Sequence, residues 1–174
     1  MEVEVKFKLK PGVEEKIMEI AEFLEEKEEF DVYFNHPCRD FAKTDEALRI
    51  RLEKKVKLTY KGPKVDSETK SREEVNVEVS GFEETLKLLE FLGFRKFRSV
   101  KKHRKIYKKG NAMICVDSVE GLGAYVEIEV EGGLQNKDEI FRIAEILGYS
   151  KNESIRLSYL EMLEKIKAGS IEPK

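Results

Sequence analysis

Met1-Glu2-Val3-Glu4-Val5-Lys6-Phe7-Lys8-Leu9-Lys10 opens the chain with an acid or a base at every second position and an apolar residue between. This is the period of a β-strand, not of a helix. Glu2, Glu4, Lys6, Lys8 and Lys10 share one face, and Val3, Val5, Phe7 and Leu9 share the other. A half-buried antiparallel strand with a wet charged face accounts for the pattern. Two carboxylates followed by lysines on one face would also suit a site that holds metal and phosphate together.

The same alternation returns downstream. In 48–52, Leu48, Ile50 and Leu52 oppose Arg49 and Arg51; in 56–61, Val56, Leu58 and Tyr60 oppose Lys57, Thr59 and Lys61. Gly62-Pro63 ends that strand, and the polar run to Lys70 reads as a mobile hairpin loop. Strands follow at 72–80 and, after the turn at Gly110-Asn111, at 113–117, where Met113, Cys115 and Asp117 share a face. Another spans 125–131, with Tyr125, Glu127 and Glu129 opposite Val126 and Ile128. The segment 98–108 carries Lys102 and Arg104 on one face but polar residues on the other, so periodicity gives it no clear inside. A short strand is predicted over 30–36, with Asp31 and Tyr33 on one face, and a loop over 36–40.

Helical spacing of Val13, Ile17, Ile20, Ala21 and Leu24 predicts a helix from 13 to about 28. Further helices are predicted from Phe82 to Gly93, over 138–147 and over 153–167. The expected fold is α+β: one domain over 1–168 with about eight strands and four helices, and a disordered tail over 169–174.

Composition narrows the function. The 174 residues carry a formal charge of −2, although 39 % are charged, so no general attraction to nucleic acid or to a membrane follows. Cys38 and Cys115 are far apart and lack metal-ligand spacing, which predicts free thiols in a reducing cytoplasm. The first residues already form a charged strand, and no apolar run is long enough to span a bilayer. One glutamine, no tryptophan and abundant Lys and Glu lean toward a thermophile.

The outer positions are nearly all full charges, and they segregate by strand. If the sheet closes into a barrel, every second residue points into the lumen. Such an interior must hold water, counter-ions or a charged ligand, because lone buried charges are very costly. Cations grip phosphate oxygens, and clustered carboxylates bind a hard cation such as Mg²⁺ or Mn²⁺. A metal-chelated polyphosphate satisfies both sets.

Glu2-Val3-Glu4-Val5-Lys6 resembles the ExExK signature of the CYTH superfamily, the triphosphate tunnel metalloenzymes. The other pieces follow in the family's order: Leu48-Arg49-Ile50-Arg51, Leu58-Thr59-Tyr60-Lys61-Gly62-Pro63, Arg72-Glu73-Glu74, Lys102-His103-Arg104, Asp117, and Gly123-Ala124-Tyr125-Val126-Glu127-Ile128-Glu129. The resemblance implies an eight-stranded antiparallel β-barrel, a tunnel flanked by helices. It implies that Glu2, Glu4, Asp117, Glu127 and Glu129 hold Mg²⁺ or Mn²⁺. It also implies that Lys6, Arg49, Arg51, Lys61, Arg72, Lys102 and Arg104 grip the triphosphate, with Glu2, Glu4, Lys6 and Lys61 as the catalytic set. Lys8 and Lys57 face the same way by alternation.

Asp31-Val32-Tyr33-Phe34, the 36–41 segment and Ser158-Tyr159-Leu160-Glu161-Met162-Leu163 look most like the class IV adenylyl cyclase branch. That branch implies conversion of ATP to 3′,5′-cyclic AMP and pyrophosphate. A triphosphatase acting on thiamine triphosphate, inorganic tripolyphosphate or a nucleoside triphosphate is the alternative, and a polyphosphate- or nucleotide-binding module is the non-enzymatic one. No residue of the sequence is singled out to hold a base. The expected assembly is a monomer or homodimer, and neither nucleic acid nor membrane is an expected partner. His36 and His103 read as loop and surface residues.

Overall fold

The computed structural model describes residues 1–167, so the tail expected over 169–174 lies outside the described residues. Eight antiparallel strands form one sheet in the order β1-β8-β7-β6-β2-β3-β4-β5. They are β1 (Glu2–Lys8), β2 (Glu22–Asn35), β3 (Ala47–Leu52), β4 (Val56–Lys61), β5 (Glu74–Val79), β6 (Arg95–Lys109), β7 (Ala112–Val119) and β8 (Gly123–Glu131). Five helices accompany them: α1 (Val13–Ile20), α2 (Phe41–Thr44), α3 (Phe82–Phe91), α4 (Lys137–Ile146) and α5 (Tyr159–Lys167). Two short 3₁₀ turns, Leu134–Asn136 and Lys151–Glu153, join the last elements.

The sheet curls until its edges approach. Glu2 of β1 bridges Arg72, and the Lys70 amide donates to the Glu4 carbonyl at 2.9 Å. The two edge strands thus meet through residues 70–72. Apolar faces point outward under the helices. Val3, Val5 and Phe7 pack with Val13 and Ile17 of α1 and Ile140, Ile143 and Ala144 of α4. Val32, Phe34 and Ile50 pack under Leu86 and Leu89 of α3. Complete burial of a Val, Ile, Leu or Phe stabilises by roughly 1.5–3 kcal/mol. The helices therefore fix which face of each strand is outside, and the charged face is left to line the interior.

Five expectations are corrected. The helix expected to reach about 28 stops at Ile20, and Glu22–Asn35 is one 14-residue strand that absorbs the short strand expected over 30–36. Propensity for helix loses here to a long ladder with β6, which pairs Glu22 with Lys108 and Asn35 with Arg95. The loop expected to be mobile up to Lys70 ends in Thr69, Lys70 and Ser71, all buried. The last helix begins at Tyr159, not at 153, because Ile155 bridges Lys6 in extended conformation. The strand expected from 72 begins at Glu74.

Candidate active site

Alternation sends one side chain in two from each strand into a tunnel of about 800 Å³. Its wall includes Glu2, Glu4, Arg49, Arg51, Lys61, Arg72, Lys102, Arg104, Glu127 and Glu129, so the structure brings ten of the expected site residues to one cavity. Lys6 and Asp117 sit behind the wall, both fully buried. Lys57 lines the cavity through a partly exposed side chain and pairs with Glu53 at 3.0 Å, whereas Lys8 is exposed.

The acids gather on one side. Register sets Glu4 opposite Glu129 and Lys6 opposite Glu127 across β1 and β8. The Glu2 carboxyl is raised well above the usual range by burial and then by Glu129 and Glu4. Glu129 is pushed up to about 7, by burial first and by Glu4 and Glu127 against the pull of Arg104. Glu127 goes the other way: Arg104, Lys6 and Lys70 outweigh its burial and hold it well below. The Glu4 Oε2 atom is buried and accepts no hydrogen bond. Oxygen-only donors with excess negative charge and an unsatisfied buried oxygen suit a hard divalent cation. Glu2, Glu4, Glu127 and Glu129 could hold it, although among the described residues no three acids already converge at ligating distance. Asp117 is differently placed. Its oxygens accept both Arg104 Nε and Nη2 at 2.7 Å and the Tyr159 hydroxyl at 2.6 Å, so it braces Arg104.

The cations fall into two groups. Arg51 is held by Asp31 in a bidentate pair, 2.7 and 2.8 Å, and by Glu29 at 3.3 Å. Lys102 lies 3.3 Å from Glu29 and 3.5 Å from Asp31. Burial would raise Glu29 and Asp31, but Arg51, Lys102 and their neighbours hold both far below the usual carboxylate range. Arg49 and Arg72 are less satisfied. Each has a buried Nε without a hydrogen-bond partner, and their other contacts are long, 3.5 Å to Thr59 Oγ1 and 3.5 Å to Asp45. A buried unpaired N–H is costly, so these two guanidinium groups present the strongest demand for an anion. Lys61 lies beside them, 3.7 Å from Glu74. Lys6 donates to the Leu157 carbonyl at 2.7 Å and sits over the Tyr159 ring; burial, then Lys70, bring its pKa down to about 7.

Sequence reasoning missed Lys27, Glu29, Glu53 and Lys70 as cavity residues. For the first two only half a signal was present: Asp31 and Tyr33 continue the face of Lys27 and Glu29, but Glu26 and Glu28 make the opposite face equally charged. The helical reading of 13–28 hid it. Lys70 had no such signal, because a loop has no period. His103 is a surface residue between Glu28 and Glu26, at 2.8 and 3.2 Å, and His36 accepts the Cys38 amide in the 36–40 loop.

Glu129 gives this site a pH signature. Its folded pKa is raised from 4.5 to about 7, so its contribution to stability is full below 4.5 and is lost as pH rises through 7. In EDTA the melting temperature should fall between pH 5 and 8 in the wild type and fall less in Glu129→Gln. Parallel profiles would show that Glu129 is not held protonated.

A family model for the CYTH domain matches residues 1–159. A protein of Methanocaldococcus jannaschii, provisionally named an adenylate cyclase, is 40 % identical over 171 residues, covering 93 % of this chain and 98 % of that one. The PH1819 protein of Pyrococcus horikoshii OT3 superposes with a TM-score of 0.89 at 38 % identity, over 95 % of this chain and 99 % of its own. A Hippeastrum protein described as having a dominant triphosphatase activity shares the fold, with a TM-score of 0.67 at 17 % identity over 98 % of this chain and 97 % of its own. The match over 1–159, together with an eight-stranded antiparallel sheet curled round a tunnel lined with charged side chains, places the chain in the CYTH domain family.

Proposed function

We propose that the protein is a divalent-metal-dependent enzyme acting on ATP in the manner of a class IV adenylate cyclase. The observation that carries this reading is the division of one tunnel between four carboxylates on β1 and β8 and unsatisfied guanidinium groups on β3 and before β5. Glu2, Glu4, Glu127 and Glu129 would hold Mg²⁺ or Mn²⁺, which when bound neutralises charge on the triphosphate. Arg49, Arg72 and Lys61 bind the phosphate oxygens, and Arg104, braced by Asp117, adds charge at the far side. Lys6 is held rigidly by Leu157 and can give or take a proton near neutral pH. Fixed charges of this kind stabilise the leaving oxygen and hold an in-line geometry. The ATP 3′-hydroxyl attacks the α-phosphorus and gives its proton to water, the bond from that phosphorus to the bridging oxygen breaks, and pyrophosphate leaves.

A bare triphosphate does not use the whole cavity. Tyr33, Phe97, Phe41 and Leu160 also line it, and the register that pairs Tyr33 with Arg98 and Phe34 with Lys96 sets Phe97 beside them at one end. That end offers a nucleoside an aromatic and apolar surface. Phe97→Ala should raise KM for ATP about three- to tenfold, the worth of one aromatic contact, and leave tripolyphosphate unaffected. Equal effects on both substrates would remove the base-binding assignment.

The test of the function is ³¹P NMR of the protein with ATP and with tripolyphosphate in Mg²⁺ or Mn²⁺, at room temperature and hot. Pyrophosphate with a cyclic phosphodiester signal supports the cyclase. Orthophosphate release, faster from tripolyphosphate, overturns it in favour of a triphosphatase, in which water attacks the terminal phosphorus within the same tunnel.

A further inference from the structure

Lys70 belongs to no strand, yet it is as deeply placed as the strand residues. It lies on the loop that closes the sheet, is only 7 % exposed, and reaches the cavity wall. Its Nζ is 3.4 Å from Glu4 Oε2, the oxygen that accepts no hydrogen bond. Glu4 and Glu127 outweigh the cost of its burial and hold it charged, with a pKa above the ordinary lysine value.

The loop is built to put it there. The Asp66 carboxylate accepts from the amides of Glu68 and Thr69, at 3.1 and 2.8 Å, and from the Thr69 hydroxyl at 2.8 Å. Arg156 donates to the carbonyls of Asp66 and Thr69, at 2.5 and 3.4 Å, and Lys137 pairs with Asp66 at 3.2 Å. The Val65 amide donates to Ser71 and the Lys70 amide to Glu4, so both sides of Lys70 are pinned. Only the side chain is left to move.

We propose that Lys70 and the divalent cation compete for Glu4, so that metal entry transfers the Lys70 ammonium from the carboxylate to a substrate phosphate oxygen. This rests on the metal-triphosphate reading of the tunnel. Two positive charges cannot both lie against one buried carboxylate oxygen without strong repulsion. The ammonium, on a flexible four-carbon stem from a fixed backbone, is the partner that can shift. Arg72, two residues on, already presents an unsatisfied Nε, so a phosphate bound there is within the same neighbourhood. Lys70 would then offset the charge of Glu4 and Glu127 before substrate arrives and add a cation to the phosphate afterwards.

The experiment is a Mn²⁺ titration followed by electron paramagnetic resonance, without triphosphate, on wild type, Lys70→Met, Glu4→Gln and the double variant, with melting temperatures in EDTA. Lys70→Met should bind Mn²⁺ about tenfold tighter than wild type, and should bind tripolyphosphate about tenfold more weakly in saturating Mn²⁺ but with unchanged affinity in EDTA, where the ammonium stays on Glu4. In EDTA it should melt below wild type, and adding Glu4→Gln should restore the loss, because both members of the pair are then uncharged. Unchanged or weaker Mn²⁺ binding by folded Lys70→Met would overturn the competition while leaving the metal site intact. Wild type binding no Mn²⁺ at all would remove the underlying reading and the competition with it.

Discussion

Glu4→Ala is expected to lose metal-dependent turnover by at least about 100-fold, the scale on which even supporting residues of metal sites act. Glu4 is buried, faces Glu129 across β1 and β8, and alone among the four acids on those two strands has an oxygen that is buried without a hydrogen-bond donor. That oxygen is the point where a cation would repay the most electrostatic strain. Its removal should not unfold the protein. Glu4 raises the pKa of Glu2 and Glu129, so truncation relieves both, and the apolar face of β1 under α1 and α4 is untouched. The checks are kcat in Mg²⁺ and Mn²⁺ beside the melting temperature. A wild-type rate in a folded variant would dismiss the metal assignment.

Arg51→Ala should act through stability as well as affinity. Its guanidinium is bidentate to Asp31 and close to Glu29, and both carboxylates are buried to within 2 %. Removing the arginine leaves two buried acids short of a partner, a loss of about 3–5 kcal/mol for a buried pair. For a domain of this size that is roughly a 10 °C fall in melting temperature. Arg49→Ala, whose Nε has no partner to lose, should instead keep its melting temperature and raise KM. Thermal melts of the two variants decide the matter, and an Arg51→Ala protein as stable as wild type would show that Lys102 alone neutralises Asp31.

Much of this was legible in the sequence because the tunnel is written in a period of two. Wherever an apolar face is covered by a helix, the alternate residues have one place to go, and Glu2, Glu4, Arg49, Arg51 and Lys61 could be read directly. Two kinds of information were not local. Residues 21–28 carry no period of two, because Phe23 and Leu24 are adjacent and Glu25 to Glu28 are all charged, and only the ladder with β6 makes them a strand. Lys70 and Asp117 depend on contacts made across the chain: Lys70 on Arg156 and Asp66, Asp117 on Arg104 and Tyr159. Spacing could place Asp117 on the inner face, but not say that its oxygens are already engaged.

The strand order carries a consequence for how the molecule is made. β1 pairs along its whole length with β8, Glu2 with Glu131 and Lys8 with Tyr125. During synthesis the first strand leaves the ribosome with its charged face exposed and has no ladder partner until β8, at residues 123–131 of 174, has been made. Loop closure over that distance is entropically slow, and non-local pairings of this kind lower folding rates. The β2–β3–β4–β5 meander, by contrast, joins neighbours in sequence and can assemble as it emerges. The acidic side of the tunnel is therefore the last part to be completed, and a truncated product lacking β8 would keep Glu2 and Glu4 but lose Glu127 and Glu129 from the strand beside them.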